Sequence, residues 1–277
     1  MCDVCVMNSV KERMLSRRDF FRASAAATAT AAAGVTVGAT VAAPPALAAG
    51  HGGVVDMTHK LTPEFPTFFN EPGISSTQVF NFAEHGFNLF DLTIREHTAT
   101  HIDAPLHFSA DGASVDEIPV TDLVVPLCVI HIHGKAAENP DAQVTPDDLK
   151  AWIATNGPIP DRACVAMHSG WSDKAATPAY RGADADGMLH FPGFHIETTQ
   201  MLLEETNAAA MAVDTLSLDH GPSADFATHY AWLPAGRYGI ENLAGLGNVP
   251  AAGATLVVGA PTHAGGTGGP ARIFAMV

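Results

Sequence analysis

From Val54 onward the chain is a succession of short apolar or alternating runs separated by turn signals. They are Val54 to Thr58, Val79 to Phe82, Leu89 to Ile94, Cys128 to His133, Ala163 to His168, Ala209 to Asp214, Thr255 to Gly259 and Ile273 to Val277. All have strand length and several are β-branched, so they predict strands. Helix signals are fewer. Thr145-Pro146-Asp147-Asp148 sets an N-cap, a proline at the first helical position and acids in the first turn, ahead of Leu149 to Ile153. A second helix is predicted from about Ile196 to Glu205, with Ile196, Leu203 and either Thr199 or Gln200 on its inner face. The mixture predicts an α/β fold in one compact domain.

The first fifty residues follow a different pattern. Ser16-Arg17-Arg18-Asp19-Phe20-Phe21 puts a twin arginine before a weakly apolar stretch, Ala23 to Val41, and Ala46-Leu47-Ala48 supplies a small-x-small cleavage pattern. Residues 1–48 are therefore expected to be a twin-arginine signal, leaving 49–277 as the exported, periplasmic or secreted domain, with no membrane span of its own. Cys2 and Cys5 would leave with the signal. Cys128 and Cys164 lie in separate apolar runs and are expected as two buried free thiols rather than one disulfide.

With 47% hydrophobic and 16% charged residues, the chain is too apolar for disorder. Its formal charge of −15 repels phosphate backbones and anionic membrane surfaces, which argues against nucleic-acid partners. The glycine loop from Gly259 to Pro270 lacks the Lys-Ser/Thr of a phosphate-binding loop. Around Ser169, Met167 and Trp171 occupy the glycine positions of a serine-hydrolase elbow.

The densest chemistry lies in Glu96-His97-Thr98-Ala99-Thr100-His101-Ile102-Asp103-Ala104-Pro105-Leu106-His107-Phe108. His97, His101, Asp103 and His107 occupy odd positions, so an extended backbone would point them to one side, with Ile102, Ala104 and Leu106 on the other. Imidazole with carboxylate suits Zn, Mn or Fe, and two His plus one Asp leave coordination positions open. His131 and His133, and His168, His190, His195, His220 and His263 near turns, read as ordinary hydrogen-bonded or surface histidines. His168 and His220 are candidates to orient metal ligands.

The spacing His97-x-x-x-His101-x-Asp103-x-Pro105-x-His107-Phe108 resembles the signature of the cyclase family of metal-dependent hydrolases, which includes bacterial kynurenine formamidases and isatin hydrolases. Asp56-Met-Thr-His-Lys-Leu61, His168-Ser-Gly-Trp171, Asp214-Thr-Leu-Ser-Leu-Asp219, Gly239-Ile-Glu-Asn-Leu243 and Gly268-Gly-Pro-Ala-Arg272 extend the likeness over most of the chain after the signal. The resemblance implies a mixed β-sheet core with flanking helices, and one or two divalent ions, Zn or Mn. One ion would lie on His97, His101 and Asp103, a second on Asp103, His229 and Glu241. It further implies His107 as general acid/base, Phe65 in the substrate pocket, a small-molecule amide as substrate and a homo-oligomer. The substrate it suggests first is N-formylkynurenine or a similar aryl formamide, with an isatin-like cyclic amide or a lactone as the alternative. Ala99 departs from the family, which commonly has Gly there; a positive φ at that position would cost Ala about 1 kcal/mol. A metal-binding protein without turnover and a structural module are the competing classes, and His107 argues for the enzyme, because a storage site needs no proton carrier.

Overall fold

In the computed structural model, which describes residues 53–277, the apolar runs become strands; the expected signal, 1–48, lies outside the described residues. In chain order the strands, of which β4, β6, β8, β10 and β12 match none of those runs, are β1 (Val54–Asp56), β2 (Ile74–Phe80), β3 (Leu89–Ile94), β4 (His101–Asp103), β5 (Val124–His131), β6 (Gln143–Val144) and β7 (Cys164–His168). After these come β8 (Gly193–Phe194), β9 (Ala210–Val213), β10 (Tyr238–Glu241), β11 (Ala254–Gly259), β12 (Gly268–Pro270) and β13 (Arg272–Met276). The helices are α1 (Phe82–His85), α2 (His133–Glu138), α3 (Pro146–Asn156), α4 (Ile196–Glu205) and α5 (Ala227–Trp232).

Nine strands form one sheet in the order β1-β13-β11-β5-β7-β9-β10-β4-β12. Its inner run, β5-β7-β9-β10, is parallel, and the strands on either side join antiparallel. The sheet is therefore mixed. Inner parallel strands are covered on both faces and read as unbroken apolar runs, and alternate residues divide between two cores. Leu127, Val129, Cys164, Ala166, Ala210 and Ala212 enter one, while Cys128, Ile130, Val165, Met167, Met211 and Val213 enter the other. This parity sends the two cysteines to opposite faces and keeps them free. Burial pushes the Cys128 thiol up to about 12, which makes it unreactive.

The expected helices form where their caps place them. The Thr145 N–H donates to Asp148 at 2.8 Å at the start of α3, and Gly157, at φ 92°, ends it. α4 spans the expected residues, and of the two alternatives for its inner face Thr199 is buried and Gln200 exposed; Thr198 and Leu202 are buried beside Thr199, while Ile196 and Leu203 are only half-buried. Hydrogen bonding explains the difference, because the Thr198 hydroxyl donates to the Val144 carbonyl at 2.7 Å and so tolerates burial. The strand expected at Val79 to Phe82 stops at Phe80, because Asn81 caps α1 by accepting from the Glu84 N–H at 3.0 Å. Residues 76–91 form a small unit of their own, in which the ends of β2 and β3 flank α1.

Candidate metal centre

Sheet parity assembles the base of the site. β4 turns His101 and Asp103 to one face and Ile102 to the core on the other. On β10, Glu241 lies opposite His101 and Gly239 opposite Asp103. A Cβ at Gly239 would stand 2.9 Å from Leu218 Cδ1 and 3.3 Å from Asp103 Oδ2, so the absent side chain is the room the carboxylate occupies. On the opposite edge of β4, Gly268 faces Asp103, and a Cβ there would come within 2.8 Å of His97 Cε1.

Extended parity covers only His101 and Asp103. The backbone between His97 and His101 turns, with Ala99 at φ 50°, so the family's glycine position does demand the left-handed region and Ala bears a cost of about 1–2 kcal/mol. After β4, Pro105 opens a 3₁₀ turn, Pro105–Phe108, that carries His107 back over the strand. His107 then stacks on His97, with ring centroids 3.7 Å apart and 21° between planes. His229 enters from α5.

Each of three imidazoles is held by one nitrogen and aims the other at the carboxylates. His101 Nδ1 donates to the Ala99 carbonyl at 2.8 Å, and its Nε2 stands 3.3 Å from Asp103 and 3.4 Å from Glu241. His229 Nδ1 donates to Asp219 at 2.6 Å, while Nε2 lies 3.2 Å from Glu241 and 3.6 Å from Asp103. His97 Nε2 is 2.9 Å from the Thr267 hydroxyl, which itself donates to Glu96, so the proton belongs on Nε2 and Nδ1 faces Asp103 at 2.6 Å. Outer partners that fix tautomer and ring orientation are what metal-ligating histidines require.

The residues fit a divalent ion. His101 Nε2 and Asp103 Oδ2 are buried with no hydrogen-bond partner, which is costly unless something else satisfies them. Ligand atoms of His101, Asp103 and Glu241 lie within 4.8 Å of one another, as do those of His97, Asp103 and His107. Histidine and carboxylate donors suit Zn or Mn, and the structure brings together all five residues expected as ligands, along with His107.

Burial by itself would push His101 down, but Asp103 and Glu241 beside it raise it to about 9. Burial and the neighbouring Asp103 push Glu241 up. Protonated His101, with a folded value above its unfolded one near 6.5, stabilises the ion-free chain fully below about pH 6.5. That contribution is lost as the pH rises through about 9. In chelator, the denaturant midpoint of the wild type is therefore expected to fall more than that of His101→Gln between about pH 6 and about pH 10; equal slopes would contradict this linkage.

Above the carboxylates opens a cavity of about 400 Å³, walled by Phe68, Phe69, Phe108, Leu216 and Phe226, with His97, His101, His107 and Glu241 at its floor. Phe226 holds φ 48° and packs on Phe68, Phe108 and His229 at centroid distances of 5.9, 5.7 and 5.9 Å. Asn242, next to Glu241, holds φ 58°. Three strained non-glycine residues, Ala99, Phe226 and Asn242, thus line one pocket, and such strain clusters at functional sites.

Phe65 lies elsewhere. It is buried against His59 and Tyr180, and Phe68 and Phe69 from the same stretch face the cavity instead. His168 does not reach the ligands but meets His131 and His133, and His220 makes no side-chain hydrogen bond among the described residues. The supporting residues that the sequence reading missed are Asp219, Thr267 and Glu96. Asp219 closes the quoted Asp214-to-Asp219 segment and Glu96 precedes His97, so position was the available signal; Thr267 offered none.

Asp219 accepts from the Thr228 N–H at 2.8 Å and from the backbone and ring of His229. Asp219→Asn must turn its amide NH₂ towards one of these donors, and is expected to weaken metal affinity by about 10–100-fold while leaving the fold intact, as read by competition with a chromophoric chelator. Unchanged affinity would remove Asp219 from the site.

The Cyclase family profile matches residues 55–220. An isatin hydrolase of Roseibium aggregatum is 29% identical over 250 residues, which cover 83% of this chain and 94% of that protein. A kynurenine formamidase of Salinibacter ruber is 28% identical over 192 residues, 69% of this chain and 81% of the relative. Among solved structures, isatin hydrolase A of Labrenzia aggregata bound to benzyl benzoate superposes with a TM-score of 0.76 at 35% identity, covering 81% of this chain and 93% of that one.

Proposed function

Because the chain belongs to the Cyclase family, we propose that it is a metal-dependent hydrolase of a small aromatic amide, and that its substrate is an isatin-like cyclic amide. The observation that carries this reading is the convergence of His97, His101, Asp103, His229 and Glu241 beneath a phenylalanine-walled cavity that no Lys or Arg lines. N-formylkynurenine brings an amino-acid carboxylate, which a buried site would need a cation to pair. A neutral fused ring needs only apolar walls. That inverts the order of substrates which the resemblance alone suggests; the likeness to a kynurenine formamidase supports the aryl formamide as the second reading.

Zn or Mn, as one ion or two, would be held by these five residues and would supply Lewis acidity that polarises the carbonyl and acidifies water near neutral pH. His107 manages the proton. Burial pushes it down to about 4; the Asp103 carboxylate opposes this, and the His97, His229 and His101 rings beside it reinforce it. It is thus neutral at pH 7, lines the cavity and makes no ring hydrogen bond among the described residues. A free ring nitrogen of His107 accepts the proton of the water that attacks the carbonyl carbon, and delivers it to the amide nitrogen as the C–N bond breaks. The products are a carboxylate and an aryl amine on one opened ring. Phe108 and Phe226 hold the substrate plane and exclude bulk water.

The metal-loaded chain is expected to turn over isatin with a kcat/KM at least about tenfold above that for N-formylkynurenine, a preference of about 1.4 kcal/mol. The reverse order would select the aryl formamide. Bound metal with no turnover of either would select a protein that holds metal without catalysis, or another amide or lactone.

A further inference from the structure

The strongest unassigned feature is a second group of histidines on the central parallel strands. His131 ends β5 and His168 ends β7, paired directly across the sheet, and His133 opens α2 after a single intervening residue. Their ring centroids are 5.0, 5.2 and 6.0 Å apart, and one nitrogen from each lies within 4.8 Å of the others. We propose that His131, His133 and His168 form a second transition-metal site, separate from the hydrolytic centre and open to solvent, that takes Cu²⁺ or Zn²⁺.

The arrangement is built rather than incidental. The Ile132 N–H donates to the His168 carbonyl at 2.9 Å and ties the end of β5 to the end of β7. The next residue, Ser169, gives its N–H and hydroxyl to buried Asp214 at 3.0 and 2.5 Å, so the backbone beneath His168 is fixed. A Cβ at Gly247 would lie 3.2 Å from His168 Cε1 and 3.3 Å from its Nε2, so the His168 ring fills the space left by that glycine and points Nδ1 the other way. That Nδ1 meets His131 Nδ1 at 2.8 Å.

At least one of two facing Nδ1 atoms must lack a hydrogen, which leaves a lone pair pointing into the group. Neither ring nitrogen of His133 has a hydrogen-bond partner among the described residues, and no carboxylate bonds to any of the three rings. Burial and the neighbouring His131 and His133 rings disfavour a charged His168 more than the nearby Asp173 favours it, so the imidazoles stand as neutral ligands. An all-nitrogen set excludes Ca²⁺ and Mg²⁺, which demand oxygen, and favours Cu²⁺ and Zn²⁺. His131 and His133 are exposed, so an ion can enter from solvent and keep water in its remaining positions.

The test counts ions. The full chain with its hydrolytic centre already loaded is dialysed against Cu²⁺ and against Zn²⁺, beside His131→Gln and His133→Gln, two surface changes that leave the sheet intact. The wild type is expected to hold one more ion per chain than either variant. The Cu²⁺ electron paramagnetic resonance spectrum of the wild type should carry coupling to three nitrogens, and that signal should be absent from both variants, with turnover unchanged throughout. Equal metal counts in the wild type and both variants, or no ion beyond the hydrolytic centre, would overturn the proposal, and neither outcome bears on the catalytic reading.

Discussion

Asp103→Asn is expected to lower turnover by at least about 10³-fold, a loss of about 4 kcal/mol of transition-state stabilisation, and to strip the hydrolytic metal. No other side chain reaches so many expected ligands: Oδ1 stands 2.6 Å from His97 and 3.3 Å from His101, and Oδ2 stands 3.6 Å from His229. The neighbouring His101 imidazole and the His229 and His97 rings hold its carboxyl well below the usual range despite burial, so it is charged at any working pH. Asn keeps the volume, and the core around Ile102 is untouched. It also replaces an anionic ligand atom with an NH₂ that cannot ligate, and removes the charge that the cluster is arranged around. Metal content and kcat/KM should fall together, while far-ultraviolet circular dichroism stays that of the wild type. A variant that keeps its metal and turns over within tenfold of the wild type would dismiss this site.

His107→Asn is expected to lower kcat by about 10²–10⁴-fold with metal content unchanged. The separation of these two readouts is the point of the variant. His107 lies close enough to His97 and Asp103 to be a ligand on distance alone, and a ligand's removal would release metal or weaken it. A proton carrier's removal leaves the metal in place and the KM nearly so, because Asn still fills the space over the His97 ring but has no basic nitrogen. Loss of metal in His107→Asn would move the residue into the ligand set and leave the proton transfer without a carrier.

Much of the local structure was legible in the chain. Apolar runs located three of the four inner strands, β5, β7 and β9, and the placing of Cys128 and Cys164 in separate runs told that they would stay free. Thr145, Pro146 and Asp148 marked the start of α3. The spacing of His101 and Asp103 placed both on one face of β4, because a strand has period two wherever it lies. These are properties of neighbours in sequence, and a few residues suffice to determine them.

Tertiary structure decided which strands became neighbours, and with them the site. Only the antiparallel seating of β4 between β10 and β12 puts Glu241 across from His101 and leaves Gly239 and Gly268 as the spaces that Asp103 and His97 fill. Burial of both sheet faces sets that order through contacts between distant segments, which no local period records. The same holds for Thr267 beside His97, for the choice of Phe68 and Phe69 over Phe65 as cavity wall, and for the meeting of His131 and His168. Residue types and their spacing determined what chemistry the chain could hold; the packing of the sheet decided where those groups meet, because convergence in space is paid for by the whole core rather than by any one segment.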